Sequence, residues 1–155
     1  MRIDYKRRPE IAQAMGGLSR VAREGALEPR LLELVKVRAS QLNRCAHCIE
    51  MHTKDARAIG ESDDRLHLLA AWRDTPVFNE RERAALMWCE ELTLLPERDV
   101  ADELYDAARA AFTEDELCQL TMAIVAINSW NRLAVAFRAP VGGHVPRTVV
   151  RPDPA

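Results

Sequence analysis

The chain has 155 residues, the size of one domain; its 48% apolar content allows a packed core, and with only 5% aromatics that core is Leu, Ala, Val and Ile, as in helical proteins. A net charge of −2, with basic residues that are nearly all Arg interspersed among acids, gives no case for nucleic acid or an anionic membrane surface as partner. MRIDYKRRPE lacks an apolar stretch and does not read as a signal peptide, and the longest apolar-rich run, around Leu120 to Ile127, is far below the roughly 20 residues that span a bilayer, so a cytoplasmic protein with no membrane association is expected.

Residues 1–8 read as an extended N-terminal arm. Pro9 suits the first turn of a helix to about Glu24, with Ile11, Met15, Leu18 and Val21 at helical spacing. Gly16-Gly17 marks a kink or a close approach within it, and Gly25 ends it. Pro29 opens a second helix to about Leu42, whose apolar positions Leu31, Leu34, Val35, Val37 and Leu42 mix helical spacing with near neighbours. Asn43-Arg44 breaks the chain before a helix that carries Cys45-Ala46-His47-Cys48 and stops at Gly60. Ser62 or Asp63 caps a helix through Trp72, and Asp74 to Val77 forms a turn. Asn79-x-x-Glu82 is a capping-box-like start for a helix ending at Leu95 before Pro96. Asp99 caps a short helix through Leu104 and Ala108. Thr113-x-x-Glu116 is a second capping box, opening the most apolar helix, Glu114 to about Phe137. Residues 141–155 read as an irregular tail. No strand pattern competes, so the fold class is all-α, a compact helical bundle over residues 9–140. The last helix is apolar on several sides and must be buried on several sides, which predicts a homo-oligomer.

The chemistry is concentrated in ELVKVRASQLNRCAHCIEMH, Glu33 to His52. On a helix, Cys45, Cys48 and His52 fall within an arc of about 60°, and His52 lies one turn beyond Cys48, while His47 points to roughly the opposite side. A cysteine in the first turn gains partial positive charge from the helix N-terminus, which favours the thiolate. Glu33 lies among apolar positions, so it is expected to be partly buried, with its pKa pushed up by desolvation. These parts predict thiol chemistry with a proton relay from Glu33, directly or through a water, to His52 and on to Cys48. Acidity alone gives little: lowering a thiol pKa from about 8.5 by about two units makes thiolate the majority form but costs roughly tenfold in nucleophilicity. Proton donation to a departing oxygen is worth a further 10²–10⁴-fold or so.

The spacing Glu33-x11-Cys45-x-His47-Cys48-x3-His52, the stretch WRDTPVFNERERAALMWCEELT and Asn128-Ser129-Trp130-Asn131-Arg132-Leu133-Ala134 together resemble the alkylhydroperoxidase D-like proteins of the carboxymuconolactone decarboxylase superfamily, in their single-domain form. The resemblance covers roughly residues 10–140. It implies that Cys48 attacks a hydroperoxide and passes through sulfenic acid. It further implies that Cys45 resolves it into a Cys45–Cys48 disulfide and that Glu33, His52 and His47 form the relay. It implies trimers or hexamers, no bound cofactor or metal, and an external dithiol reductant such as a lipoyl-type adaptor or thioredoxin. The alternative is a general thiol–disulfide oxidoreductase acting on a protein partner. Structural zinc needs a second ligand pair that the sequence lacks, a thioredoxin-like frame needs strands before Cys45, and lactone decarboxylation does not need the dithiol. Cys89 and Cys118 fall on apolar helix faces and read as small core residues.

Overall fold

The computed structural model describes residues 1–95 and 99–146, apart from the Lys6 side chain. The described residues form α1 (Pro9–Arg23), α2 (Pro29–Leu42), α3 (Ala46–Ala58), α4 (Asp63–Leu68), α5 (Glu80–Thr93), α6 (Asp102–Ala111) and α7 (Glu114–Phe137), with 3₁₀ turns at Tyr5–Arg7 and Leu69–Asp74 and no strand.

Helix α2 divides two apolar cores. Leu31, Leu32, Val35 and Ala39 face a core shared with α1, α5 and α7, whereas Leu34 and Val37 face a second one with Ala56, Leu66, Trp72, Phe78 and Leu86. A helix serving two cores cannot show a single stripe of period 3.6, which is why its apolar positions include near neighbours. Each fully buried side chain such as Leu34 contributes about 1.5–3 kcal/mol from apolar transfer. Helix α7 lies mainly against α1 and α2, with a further contact on α5. By length and composition α7 as a whole is apolar enough to cross a membrane, which the shorter run Leu120 to Ile127 did not suggest. Here its Leu120, Ala123, Ile124 and Ile127 are buried within the helical packing.

A polar network fastens the end of α2 to α7. The Asn43 amide donates to Asn128 Oδ1 (2.8 Å) and Asn131 Oδ1 (3.0 Å). Asn131 Nδ2 donates to Ser40 Oγ (3.1 Å), and Asn128 Nδ2 to Thr93 Oγ1 (3.0 Å). Asn128 and Asn131 are therefore a structural polar cluster, and it sits directly before the cysteine motif.

Both capping boxes form, with Asn79 and Thr113 as N-caps. Several boundaries differ from expectation. Ser62 caps α4, but the helix stops at Leu68 and tightens into the 3₁₀ turn through Trp72, with Ala71 out of helical geometry. Helix α5 ends at Thr93, not Leu95, and Pro96 lies outside the described residues. Asp99 is not a cap: its carboxylate takes the neighbouring Val100 N–H, and Ala101 precedes α6 without a side-chain cap. Gly16 and Gly17 do not kink α1, which runs unbroken. Gly25 does serve a close approach, since a Cβ there would meet the Gln119 amide at 2.2 Å. That amide accepts from Leu27 N–H and donates to the Ala22 carbonyl. The first residues are not a free extended arm. Arg2 N–H donates to the Phe137 carbonyl (2.7 Å), and Tyr5 is buried against Trp130 and Phe137. The tail is described to residue 146; its remainder lies outside the described residues.

Replacing the buried Asn131 by Ala strands the amide of Asn43 and the hydroxyl of Ser40 with fewer partners. The expected loss is about 1–3 kcal/mol in urea denaturation, and a smaller change would show that the network carries little of the α2–α7 contact.

Candidate active site

The turn between α2 and α3 sets the motif. Asn43 caps α2, Arg44 takes a left-handed conformation (φ 54°), and Cys45 N–H returns to the Ser40 carbonyl (2.9 Å). Cys45 is then the N-cap of α3 rather than a helical residue, and its Sγ accepts from the Cys48 backbone N–H at 3.3 Å. Cys48 accordingly lies in the first turn, where the unpaired helical N–H groups favour negative charge. The two cysteines are joined by a disulfide with Cα atoms 5.3 Å apart, a separation natural to such a bond. Both are almost wholly buried, Cys45 at 2% and Cys48 at 1% exposure, in the same apolar core as α2 and α7.

One turn beyond Cys48, His52 Nδ1 lies 2.8 Å from Glu33 Oε2. The other carboxylate oxygen of Glu33 accepts from Lys36 Nζ at 2.6 Å. Glu33 is partly buried, as expected, with 13% of its side chain exposed. Its expected upward pKa shift is overturned. Burial does push the carboxyl up, but the hydrogen bond from His52, the Lys36 ammonium beside it and the Lys36 hydrogen bond outweigh this and hold it at about 2. Glu33 is thus ionised at neutral pH and can only accept. The proton between it and His52 must sit on Nδ1, which leaves Nε2 as the nitrogen able to take or give a proton. Glu33 touches the imidazole directly, with no intervening water needed. With Cys48 in the disulfide, His52 forms no hydrogen bond to it among the described residues; the two are related by their i,i+4 positions on α3.

His47 is placed elsewhere. Its Nδ1 lies 2.6 Å from the Pro140 carbonyl, so the ring donates there. It is the first rung of a strap in which the segment after α7 crosses α3. Gly142 N–H donates to Glu50 Oε2 (2.8 Å), Lys54 Nζ to the His144 carbonyl (3.1 Å), and His144 Nε2 meets Asp55 Oδ1 at 2.6 Å. The Gly142 N–H and Lys54 hold the Glu50 carboxyl below its ordinary range. Sequence reading missed Lys36, Asp55 and His144. Lys36 was signalled by its i,i+3 spacing to Glu33; nothing local signals a tail histidine that meets a helix 89 residues away.

Glu33, His52 and Asp55 bring one ligand atom each within 4.8 Å of one another, the nearest approach to a metal site among the described residues. Each carboxylate already holds another partner, Lys36 on Glu33 and His144 on Asp55. Cys89 is fully buried and donates to the Val35 carbonyl, with burial pushing its thiol up to about 12; it is a core residue. Cys118, expected in the core, is exposed on α7.

Because the Glu33 carboxyl is held below its value of 4.5 in the free chain, it stabilises the fold fully above that pH and loses the contribution as pH falls toward 2. Glu33→Gln should flatten the decline of denaturation midpoint across this window; an unchanged slope would place the acid sensitivity elsewhere.

The sequence model of the carboxymuconolactone decarboxylase family matches residues 9–91. An uncharacterised Bacillus subtilis protein, YdfG, is 39% identical over 133 residues, spanning 86% of this chain and 90% of that protein. A crystal structure of an Agrobacterium tumefaciens protein of unknown function, provisionally assigned to antioxidant defence as an AhpD, superposes with a TM-score of 0.88 at 39% identity, covering 91% of this chain and 97% of that one. A peroxidase-related alkylhydroperoxidase AhpD core from Ralstonia eutropha shares the fold at 18% identity, with a TM-score of 0.78 over 92% of this chain and 80% of that one. The chain belongs to the carboxymuconolactone decarboxylase family and has the all-helical fold of its AhpD-like members.

Proposed function

We propose that the protein is a dithiol peroxidase that reduces organic hydroperoxides through Cys48. The observation that carries this reading is a buried CxxC disulfide whose second cysteine occupies the first turn of α3, one turn before an imidazole held by an ionised carboxylate.

In the reduced state the Cys48 thiolate attacks the distal oxygen of the peroxide. The O–O bond breaks, and the leaving alkoxide takes from His52 Nε2 the proton that this nitrogen received from the Cys48 thiol when the thiolate formed. Glu33 contributes by fixing the ring tautomer and orientation rather than by surrendering a proton of its own. Cys45 then attacks the Cys48 sulfenic acid, water leaves, and the Cys45–Cys48 disulfide forms. An external dithiol restores the thiols by two exchanges. No resident cofactor enters the cycle, and alternation between dithiol and disulfide suits a reducing, cytoplasmic setting. His47, tied to Pro140, serves as an anchor of the strap in this scheme. Helix α7 leaves Val125 exposed, which supports assembly of copies through that part of the helix, with a trimer or hexamer as the expected product.

The test is mass spectrometry of reduced protein after one equivalent of an organic hydroperoxide. Rapid loss of two hydrogens mapped to Cys45–Cys48, with a trapped sulfenic acid on Cys48 in Cys45→Ser, is the expected result. Inertness to peroxide beside ready oxidation by a small disulfide would replace this reading with thiol–disulfide exchange on a protein partner. Glu33→Gln should slow peroxide oxidation roughly 10²-fold, the scale of positioned proton transfer, while the disulfide still forms with a disulfide reagent.

A further inference from the structure

A cleft of about 210 Å³ opens beside the motif, and its walls have an unusual composition. Cys45 lines it and Cys48 does not. The apolar lining includes Ala134 and Val135 of α7, and the polar lining is Arg44, His47 and Arg138; no lining residue is acidic. Neither guanidinium forms an ion pair with a described residue, although the chain as a whole carries a net charge of −2. The backbone at both positions is equally telling. Arg44 (φ 54°) and Arg138 (φ 53°) are the non-glycine residues of positive φ among those described. Each follows the end of a helix, at the place where glycine is the usual choice. A cation at one helix end would be unremarkable, since it complements the dipole. Here Arg44 and Arg138, at the ends of different helices, line the same cleft as Cys45, so an exposed pair of cations stands beside one of the two redox cysteines. His47, whose Nδ1–H goes to the Pro140 carbonyl, belongs to the same lining.

We infer that this cleft admits the reductant, that the reductant thiol bears a carboxylate held by Arg44 and Arg138, and that exchange begins at Cys45. The inference rests on the redox reading above and extends it to the second half of the cycle. The entering thiolate attacks Cys45 Sγ, the Cys45–Cys48 bond breaks, and its electron pair goes to Cys48 Sγ, which leaves as thiolate. A second thiol then attacks the entering sulfur, frees Cys45 as thiolate and carries the disulfide away, so that two electrons pass to the protein. The departing Cys48 thiolate lies in the first turn of α3, where the helix favours it. The cleft is smaller than the roughly 300–1,000 Å³ of drug-sized pockets, so it takes the thiol end and the anionic group of a small molecule.

The test compares mercaptopropionate with mercaptoethanol as reductants of the oxidised protein. Rates are taken per thiolate and divided by those with a small neutral disulfide. Two guanidiniums at about 7 Å in water predict a preference for the anionic thiol of roughly fivefold to tenfold, lost in high salt. In Arg44→Gln/Arg138→Gln the ratio should fall to about one, and in the Arg→Lys pair it should persist. Acid-quenched intermediates should carry the mixed disulfide on Cys45. A preference unchanged in the Gln pair, no preference in the native protein, or a mixed disulfide on Cys48 would each overturn the inference while leaving the peroxidase reading standing. Failure of both thiols to reduce the Cys45–Cys48 disulfide would overturn the redox reading itself.

Discussion

Helix α2 is buried on two sides, and that constraint organises the site. With Leu31, Leu32, Val35 and Ala39 committed to one core and Leu34 and Val37 to the other, the polar groups that reach α3 and α7 share one narrow strip. Glu33, Lys36, Ser40 and Asn43 lie along it, within about 80° of arc at 100° per residue. One end of the strip holds His52 of α3 through Glu33. The other end holds α7 through Ser40 and Asn43. The cysteine turn is therefore pinned by the same helix at both ends, and the redox pair has little freedom to drift relative to its histidine.

The electrostatics of the strip decide what Glu33 can do. A carboxyl in an apolar setting becomes a neutral acid only when nothing charged reaches it. Here Lys36 and His52 reach both oxygens, and their contacts exceed the cost of burial. The result resembles an orienting carboxylate behind an imidazole more than a proton store. The strap Pro140–His144 adds support from the outer side of α3, with partners on His47, Glu50, Lys54 and Asp55.

Much of this was legible in the sequence. The capping boxes at Asn79 and Thr113, the prolines at the starts of α1 and α2 and the breaks at Gly25 and Gly60 are local signals, and local physics answers them. The spacing from Glu33 to His52 announced the Glu33–His52 pair. What the sequence hid was set by distant contacts. The ionisation of Glu33 turned on His52 together with Lys36, a residue the sequence reading missed. The ordered first residues depend on a Tyr5 pocket formed by Trp130 and Phe137. The strap joins residues about ninety positions apart. Asp99 looked like a cap because the residue type fits, yet its side chain is used by its own neighbour.

The central claim is that Glu33 acts on Cys48 only through His52. A double-mutant cycle in the Cys45→Ser background measures it most directly, reading the rate at which an organic hydroperoxide oxidises Cys48. The account predicts that the rate of Glu33→Gln/His52→Ala equals that of His52→Ala alone, as expected for residues working as a unit. Multiplicative losses would contradict it and show that Glu33 and His52 serve the thiol independently.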